Sequence, residues 1–330
     1  MSVDPADLFA ALAAGDSVSG SELARRFGVT RAAIWKQMQG LRALGAAIDA
    51  RAGDGYRLDP AIAALDRGAI RAALAAPARA RIGEILVRWE TASTNAELLA
   101  RTSADPHPVI ACVAEIQTHG RGRRGRAWQM PLGGGLALSL RYPFESGMSA
   151  LGGLSLAVGV ALVRALGDAG FDRIGLKWPN DVIARGRKLA GILIELGGDA
   201  LGPCHAVIGI GLNLRLNDAV LESIDQPAID LARLALAPPD RNHLAARVLS
   251  HLVDALDQFQ REGFAPFAAE FARHDVLAGQ RVRVLGGGIV RDGIAIGVDE
   301  RGMLRVQGDR GEFAVDSGEI SVRADADPRG

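Results

Sequence analysis

The sequence predicts an α+β chain of three units: an N-terminal winged helix-turn-helix, a central mixed α/β domain and a small C-terminal β-barrel. Three observations carry this. Residues 1–60 place three short runs of helical period ahead of a strand, a turn and a strand. From about 81 to 275, β-like runs such as IACVAEIQ, GLALSLRY, GLKWP and LAGILIEL alternate with Ala/Leu-rich helical stretches such as LAARVLSHLVDALDQF. From Arg281 to Arg323, five short alternating strands follow one another between Gly and Asp turns. A length of 330 residues and a hydrophobic content of 48% suit two or three folded cores.

In the first unit, Leu8 and Leu12 share a helical face that ends near Gly15. A second helix starts at Ser19 or Ser21, carries Leu23 and Phe27 four apart, and stops at Gly28. Thr30 caps a third, in which Ile34, Met38 and Leu41 form the apolar stripe, and Gly45 ends it. The run AAIDARAGDGYRL then reads as a hairpin turning at Asp54-Gly55. With its apolar stripe inward, the third helix presents Arg31, Ala32, Trp35, Lys36, Gln39 and Arg42, as a recognition helix does toward the major groove. Residues 1–60 carry seven basic and seven acidic residues, but Arg25 to Arg42 holds five basic and no acidic ones. A local positive stripe is enough for phosphate contact. A small helical domain for protein contacts is the competing reading.

After a short Ala-rich helix from Asp66 to Ala76, APARAR reads as a linker, so the boundaries fall at 1–60, 61–80 (linker), 81–275 and 276–330. The net charge of zero steers the chain toward no class of partner. Cys112 and Cys204 have no metal-binding or disulfide spacing and read as buried thiols of a reducing compartment. Asp4 and Asp7 stand where a secretion signal carries basic residues, and the uncharged run Gly147 to Val163 is short and rich in small residues. A cytoplasmic protein without membrane contact is the expectation.

Only Lys36, Lys177 and Lys188 are lysines among 38 basic residues. Where arginine is the default cation, a retained lysine points to a need for a compact, rotatable ammonium. Two of the three lie in one block, LKWPNDVIARGRKLAGILIEL, where Pro179-Asn180 forms a turn and adjacent strands can gather Lys177, Asp181 and Lys188 at one end of a sheet. Upstream, THGRGRRGRAW satisfies GxGxxG through Gly120, Gly122 and Gly125, but no helix of the dinucleotide-binding type follows, because Pro131 and Gly133 to Gly135 intervene. Arg121, Arg123, Arg124 and Arg126 spaced by glycines instead suit an anion clasp: backbone N–H groups approach closely while guanidinium forks bind phosphate or carboxylate. An RG-rich nucleic-acid segment is the alternative.

ETASTN at Glu90 to Asn95, AEIQTHGRGRRGRAW at Ala114 to Trp128, KWPND at Lys177 to Asp181, RKLAGILIEL at Arg187 to Leu196 and GIGLN at Gly209 to Asn213 resemble, in order and spacing, the biotin protein ligases. With the units before and after them, they resemble the bifunctional members that also repress biotin synthesis genes. The resemblance implies a class II synthetase-like central domain and an SH3-like C-terminal barrel. It implies a two-step reaction: biotin and MgATP give biotinyl-adenylate and pyrophosphate, and a lysine of the biotin carboxyl carrier protein then takes the biotinyl group. Carried onto this chain, Ser93, Thr94, Asn95 and Gln117 hold the ureido ring, Gly120, Arg121 and Gly122 close the pocket, and Trp128 packs along the aliphatic chain. Arg123 and Lys188 meet the carboxylate and α-phosphate, Lys177 assists at the phosphates, and Arg121, Asn180 and Asn213 lie by the adenylate. The catalytic set is then Arg123, Lys177, Asp181 and Lys188, with Asp181 orienting the attacking lysine or accepting its proton. In the DNA-binding unit the contacts fall to Arg31, Ala32, Trp35, Lys36 and Gln39.

Some relatives stack a tryptophan on adenine after the NxL segment, whereas Leu221 to Leu231 here has no aromatic residue and Ala228 stands near that place. No histidine falls in a metal pattern, so magnesium is expected on ATP phosphates and water, with no protein metal ligand. The resemblance further implies operator DNA as a partner and a ligand-dependent homodimer. A lipoate or octanoate ligase, and a biotin-sensing repressor without transferase activity, are the rival readings.

Overall fold

The computed structural model describes residues 3–13, 17–51, 55–58, 62–101, 109–235, 240–286, 289–316 and 321–324. In the N-terminal unit, α1 (Pro5–Ala13), α2 (Gly20–Phe27) and α3 (Arg31–Ala43) precede an antiparallel pair, β1 (Ile48–Arg51) and β2 (Gly55–Leu58). Each expected cap forms where its residue is described. Ser19 Oγ accepts the Glu22 N–H at 3.1 Å, Thr30 Oγ1 accepts the Ala33 N–H at 3.2 Å, and Gly28 ends α2 at φ 65°. Gly15 and Asp54, expected at a helix stop and a turn, lie outside the described residues. Leu8, Leu12, Leu23, Ile34, Met38 and Leu41 meet in one buried cluster.

The central domain is built on a seven-stranded sheet, formed by β3 (Ile82–Thr91), β4 (Val109–Gln117), β5 (Gly135–Phe144), β6 (Ile174–Lys177), β7 (Asp181–Ala184), β8 (Arg187–Gly198) and β9 (Cys204–Asn213). Its order is β3-β4-β5-β9-β8-β7-β6, and only the β3–β4 pair is parallel. Before this sheet run α4 (Arg67–Ala73) and α5 (Ala76–Arg81); within and after it come α6 (Thr94–Leu99), α7 (Leu154–Asp168), α8 (Asp218–Ser223), α9 (Arg241–Glu262) and α10 (Ala265–His274). Alternation along β5 divides the sheet. Leu136, Leu138, Leu140, Tyr142 and Phe144 join the main core with α7 and α9, while Ser139 faces α6 on the other side. The uncharged run predicted as a buried helix is largely α7, and no described helix is long and apolar enough to cross a membrane. Arg185 and Gly186 turn β7 into β8 with φ of 49° and 73°, the left-handed pair of a tight hairpin. Burial pushes the Cys112 thiol up to about 12, consistent with an inert core side chain.

Residues 61–80 differ from the linker reading. APARAR is helical, because Pro77 sits in the first turn, where its missing N–H costs nothing, and Ala78 is buried in the main core. Ile70 and Leu74 join the same core, and the Ala75 N–H reaches Ser250 Oγ of α9 at 3.1 Å. The segment just before α4 is clamped as well. Arg241 forms a buried pair with Glu115 of β4 at 2.8 Å and donates to Ala63 O, while Glu115 Oε1 accepts the Leu65 N–H at 2.7 Å. The N-terminal unit therefore rests against the central domain: Phe9 meets Trp89 at 5.7 Å between ring centroids, and the Leu132 N–H donates to Leu44 O at 2.8 Å.

The C-terminal unit is a five-stranded antiparallel sheet of β10 (Arg281–Gly286), β11 (Ile289–Val298), β12 (Leu304–Gly308), β13 (Gly311–Val315) and β14 (Ser321–Ala324), in the order β13-β12-β11-β10-β14. It docks beside the KWPND turn, where the buried Trp178 Nε1–H donates to Gly302 O at 3.0 Å.

Candidate active site

A cleft of ≈ 670 Å³ opens on the face of the sheet that carries α6. Its polar end is a hydrogen-bonded wall. Ser93 stands at the N-cap position of α6 without a side-chain cap bond, and Ser93, Thr94 and Asn95 are all buried where the helix start packs on the sheet. Gln117 Oε1, at the end of β4, accepts the Thr94 N–H at 2.8 Å. Ser139 Oγ lies 2.7 Å from Thr94 Oγ1 and 2.6 Å from Asn95 Oδ1, and Asn95 Nδ2 donates to Glu195 Oε2 at 2.8 Å. The glycines of GIGLN make this wall possible: a β-carbon at Gly209 would stand 2.3 Å from Asn95 Oδ1, and one at Gly211 would stand 2.3 Å from Trp128 Cε2.

The other end is cationic. Residues 118–128 fold back on themselves, with the Gly122 N–H on Arg126 O at 2.7 Å and the Trp128 N–H on Gly120 O at 2.8 Å. The hairpin register sets Lys177 opposite Asp181, and Lys188 Nζ reaches Asp181 Oδ1 at 2.6 Å while lying 5.8 Å from the Trp128 ring centroid. Arg121 Nη2 approaches Glu195 Oε1 at 3.6 Å. Burial and the neighbouring Arg124 pull the Arg123 guanidinium below its ordinary value, and Asp181 and Asp316 act in the opposite sense. The Lys177 ammonium makes no side-chain hydrogen bond or ion pair with another described residue.

The structure brings Ser93, Thr94, Asn95, Gln117, Arg121, Gly122, Arg123, Trp128, Lys177, Asn180, Asp181, Lys188 and Asn213 onto one cleft. Gly120 is the exception. It is buried within the loop and outside the lining, its carbonyl holding Trp128, and a β-carbon there would stand 2.6 Å from Trp128 O and 3.1 Å from Gln117 Nε2. Lys188 sits in the cleft wall at 16% side-chain exposure. Asn180 and Asn213 also brace the backbone: Asn180 Nδ2 donates to Ile192 O at 2.7 Å and Asn213 Nδ2 to Ile229 O at 3.0 Å. In α3, Arg31, Ala32, Trp35 and Lys36 are exposed, Trp35 at 58%, and Gln39 is half-buried. Arg42 turns back to donate to Ile48 O at 2.9 Å and braces the hairpin.

Three features went unread in the sequence. Ser139 is the one polar residue in LALSL, a break in an apolar strand that signals a buried hydrogen bond, and Glu195 is the one charged residue in LAGILIEL. The third is Ser223 to Pro227, which carries no motif although the neighbouring Ala228 is expected near the adenine. It reaches the cleft because the Lys188 N–H donates to Pro227 O at 2.8 Å and the Ile229 N–H to Lys188 O at 2.9 Å.

Known proteins are similar to this chain in sequence over nearly its whole length. The bifunctional ligase/repressor BirA of Salmonella typhimurium is 37% identical over 320 residues, covering 97% of this chain and 98% of the relative. The chain belongs to the bifunctional biotin protein ligase family. The model of the biotin/lipoate A/B protein ligase family matches residues 89–213 of this ligase, the HTH domain model matches 6–57, and the biotin protein ligase C terminal domain model matches 278–323. A biotin--[acetyl-CoA-carboxylase] ligase of Mycobacterium tuberculosis is 40% identical over 222 residues, covering 65% of this chain and 80% of the relative. The biotin protein ligase from Aquifex aeolicus, solved in complex with biotin and ATP, superposes with a TM-score of 0.64 at 28% identity, covering 74% of this chain and 100% of the other.

Proposed function

We propose that this protein condenses biotin with ATP to biotinyl-5'-AMP and pyrophosphate, then transfers the biotinyl group to a lysine of the biotin carboxyl carrier protein of acetyl-CoA carboxylase. One observation carries this reading: a single cleft joins a polar wall at Thr94, Asn95 and Gln117 to the cations Arg121, Arg123, Lys177 and Lys188 across the Trp128 ring. That polarity fits a substrate with a hydrogen-bonding ring, an aliphatic chain and a carboxylate.

In step one a carboxylate oxygen attacks the α-phosphorus and pyrophosphate leaves. Both reactants are anionic, so Arg123, Lys177 and Lys188 offset repulsion and hold charge where it accumulates; preorganised groups of this kind are worth ~10²–10³ in rate each. Lys188 would leave Asp181 for the incoming phosphate, turning on its flexible stem. Ile224, Pro227 and Ala228 offer the adenine an apolar wall in place of an aromatic ring. Mg²⁺ would enter on the ATP phosphates; Asp181 and Asp225 are the carboxylates of the described lining, and three or more metal-ligating side chains do not cluster among the described residues.

In step two the carrier lysine, with an ordinary pKa near ~10.4, must lose a proton before its amine attacks the acyl carbon and AMP departs. Asp181, released by Lys188, would orient or accept that proton, a role worth ~10²–10⁴. Trypsin should cut residues 118–128 more slowly when biotin and ATP supply the charge that orders the arginines.

The N-terminal unit would act as a biotin-responsive repressor of biotin synthesis genes. α3 presents Arg31, Ala32, Trp35, Lys36 and Gln39 to operator DNA, β1–β2 serves as the wing, and a dimer formed with bound adenylate reads two half-sites. The C-terminal sheet is read as an SH3-like barrel, and the free thiols Cys112 and Cys204 fit a cytoplasmic setting. Incubation with biotin, α-labelled ATP and a biotin carrier domain tests the ligase: labelled biotinyl-adenylate, then biotinylated carrier, is expected. Biotin-independent turnover, or transfer of lipoate in its place, would overturn it.

A further inference from the structure

The polar wall beneath α6 has a direction as well as a set of contacts. Ser139, at 0% exposure, has one hydroxyl proton and two oxygens within reach, Asn95 Oδ1 at 2.6 Å and Thr94 Oγ1 at 2.7 Å. The Asn95 amide is oriented by its Nδ2, which donates to Glu195 Oε2 at 2.8 Å and Leu193 O at 3.3 Å, both of which only accept. Asn95 Oδ1 can therefore only accept, and it takes the Ser139 proton. The remaining 2.7 Å contact is then filled by the Thr94 hydroxyl donating to Ser139, in preference to the longer 3.2 Å path to Gln117 Oε1. With Gln117 Oε1 already accepting the Thr94 N–H at 2.8 Å, Gln117 offers the cleft its amide donors and Thr94 Oγ1 offers a lone pair.

We propose that Ser139 and Glu195 are positioning residues that set this proton order, and so make the pocket select a ring with N–H donors beside a carbonyl acceptor, a cyclic urea. The proposal rests on the biotin reading of the cleft. Ser139 acts from beneath: it is buried behind Thr94 and Asn95 and lines no part of the cleft. Glu195 has a second task, because its other oxygen faces Arg121 at 3.6 Å. One carboxylate thereby ties the orientation of Asn95 to the resting position of the glycine-arginine loop. Ser139, Thr94 and Asn95 are buried, and in that low local dielectric their hydrogen bonds reinforce one another.

The experiment measures kcat and KM for biotin-dependent pyrophosphate release in the full-length protein, with biotin and with 2-iminobiotin, whose guanidine replaces the urea. Ser139→Ala should raise the biotin KM about tenfold, leave kcat at saturation within about twofold, and reduce the preference for biotin over 2-iminobiotin by a similar factor, because Thr94 becomes able to turn. A folded Ser139→Ala with unchanged KM and preference overturns the proposal, as does a loss confined to kcat. Glu195→Gln retains an acceptor for Asn95 but no charge for Arg121. It should keep at least fivefold more biotin affinity than Glu195→Ala, with its empty loop cut faster by trypsin than that of the wild type. Equal affinity in the two Glu195 variants overturns the proposal even where Ser139→Ala does not fold. A wild-type protein that releases no pyrophosphate with biotin would sink the biotin reading itself, whereas an active wild type with indifferent variants sinks only the proton order.

Discussion

Gly211→Ala probes how tightly the cleft is built. A β-carbon at Gly211 would lie 2.3 Å from Trp128 Cε2, 2.6 Å from Cζ2 and 2.7 Å from Nε1, against ordinary contact from 3.4 Å. The strand cannot give way, because Gly211 is paired with Ala137 of β5 on one side and Gly191 of β8 on the other. The indole must therefore retreat by about 1 Å to restore contact distance. Trp128 shares its surroundings with Lys188, whose Nζ lies 5.8 Å from the ring centroid, and a Gly191 β-carbon would already touch both side chains. Misplacement by about 1 Å near reacting groups costs on the order of 10²-fold in rate, which is about 2.7 kcal/mol of transition-state stabilisation. Stability should fall by less than the ~1–3 kcal/mol of an overfilled core, because the half-buried ring can move toward the open cleft. Biotin-dependent pyrophosphate release, with urea unfolding and tryptophan fluorescence alongside, separates the two effects. A folded variant that releases pyrophosphate within threefold of the wild-type rate would show that Trp128 is not a fixed wall and refute the reasoning.

Lys188→Ala removes the ammonium that Asp181 holds at 2.6 Å; it should lower adenylate formation by ~10²–10³ while the protein stays folded, and a wild-type rate would remove Lys188 from the chemistry. Glu115→Gln strips the charge facing Arg241, a pair with side-chain exposures of 5% and 4%, and should cost about 3–5 kcal/mol in chemical denaturation, with a loss below ~1 kcal/mol contradicting the clamp. The hydrogen bond from Arg164 holds the Glu270 carboxyl below its ordinary 4.5, so their pairing stabilises the folded chain above that pH and is lost as pH falls through the lower folded value. The stability gap between wild type and Arg164→Met should accordingly shrink between neutral pH and pH values below about 4, and a gap that does not change with pH would exclude an ionic origin. Deleting residues 1–60 should abolish operator binding and leave adenylate formation measurable; DNA binding by the truncated chain in a gel-shift assay would refute the role given to α3.

The local order of this protein is legible residue by residue. Ser19, Thr30 and Gly28 bound helices because a side-chain acceptor or a left-handed glycine satisfies a helix end without help from the rest of the chain. The period of Ile34, Met38 and Leu41 identifies the buried face of α3, and the lysines kept against an arginine bias mark two of the strands that line the cleft. Residues 61–80 were less legible: APARAR has linker composition, and it is α9 packed against Ala78 that makes it a helix. Gly120 shows the limit of a motif, since its place in the glycine-arginine run does not reveal that its carbonyl closes the loop and turns it away from the cleft.

By itself the sequence determined the capped and periodic elements, the three-part order and the charged residues of the cleft, because caps, periodicity and residue type act over a few positions. Only the tertiary structure decided the partnerships. Ser139 is 44 residues from Asn95, Glu195 is 100, and the Lys188 N–H finds its acceptor in a segment with no motif. Such pairs follow from strand order and register in a seven-stranded sheet, where β5 and β9 are neighbours although about 60 residues apart in the chain. A hydrogen bond's direction is settled one level further on, when every buried donor and acceptor around it has been assigned. That is why a polar break such as Ser139 in LALSL signals a buried hydrogen bond but neither its partner nor its direction.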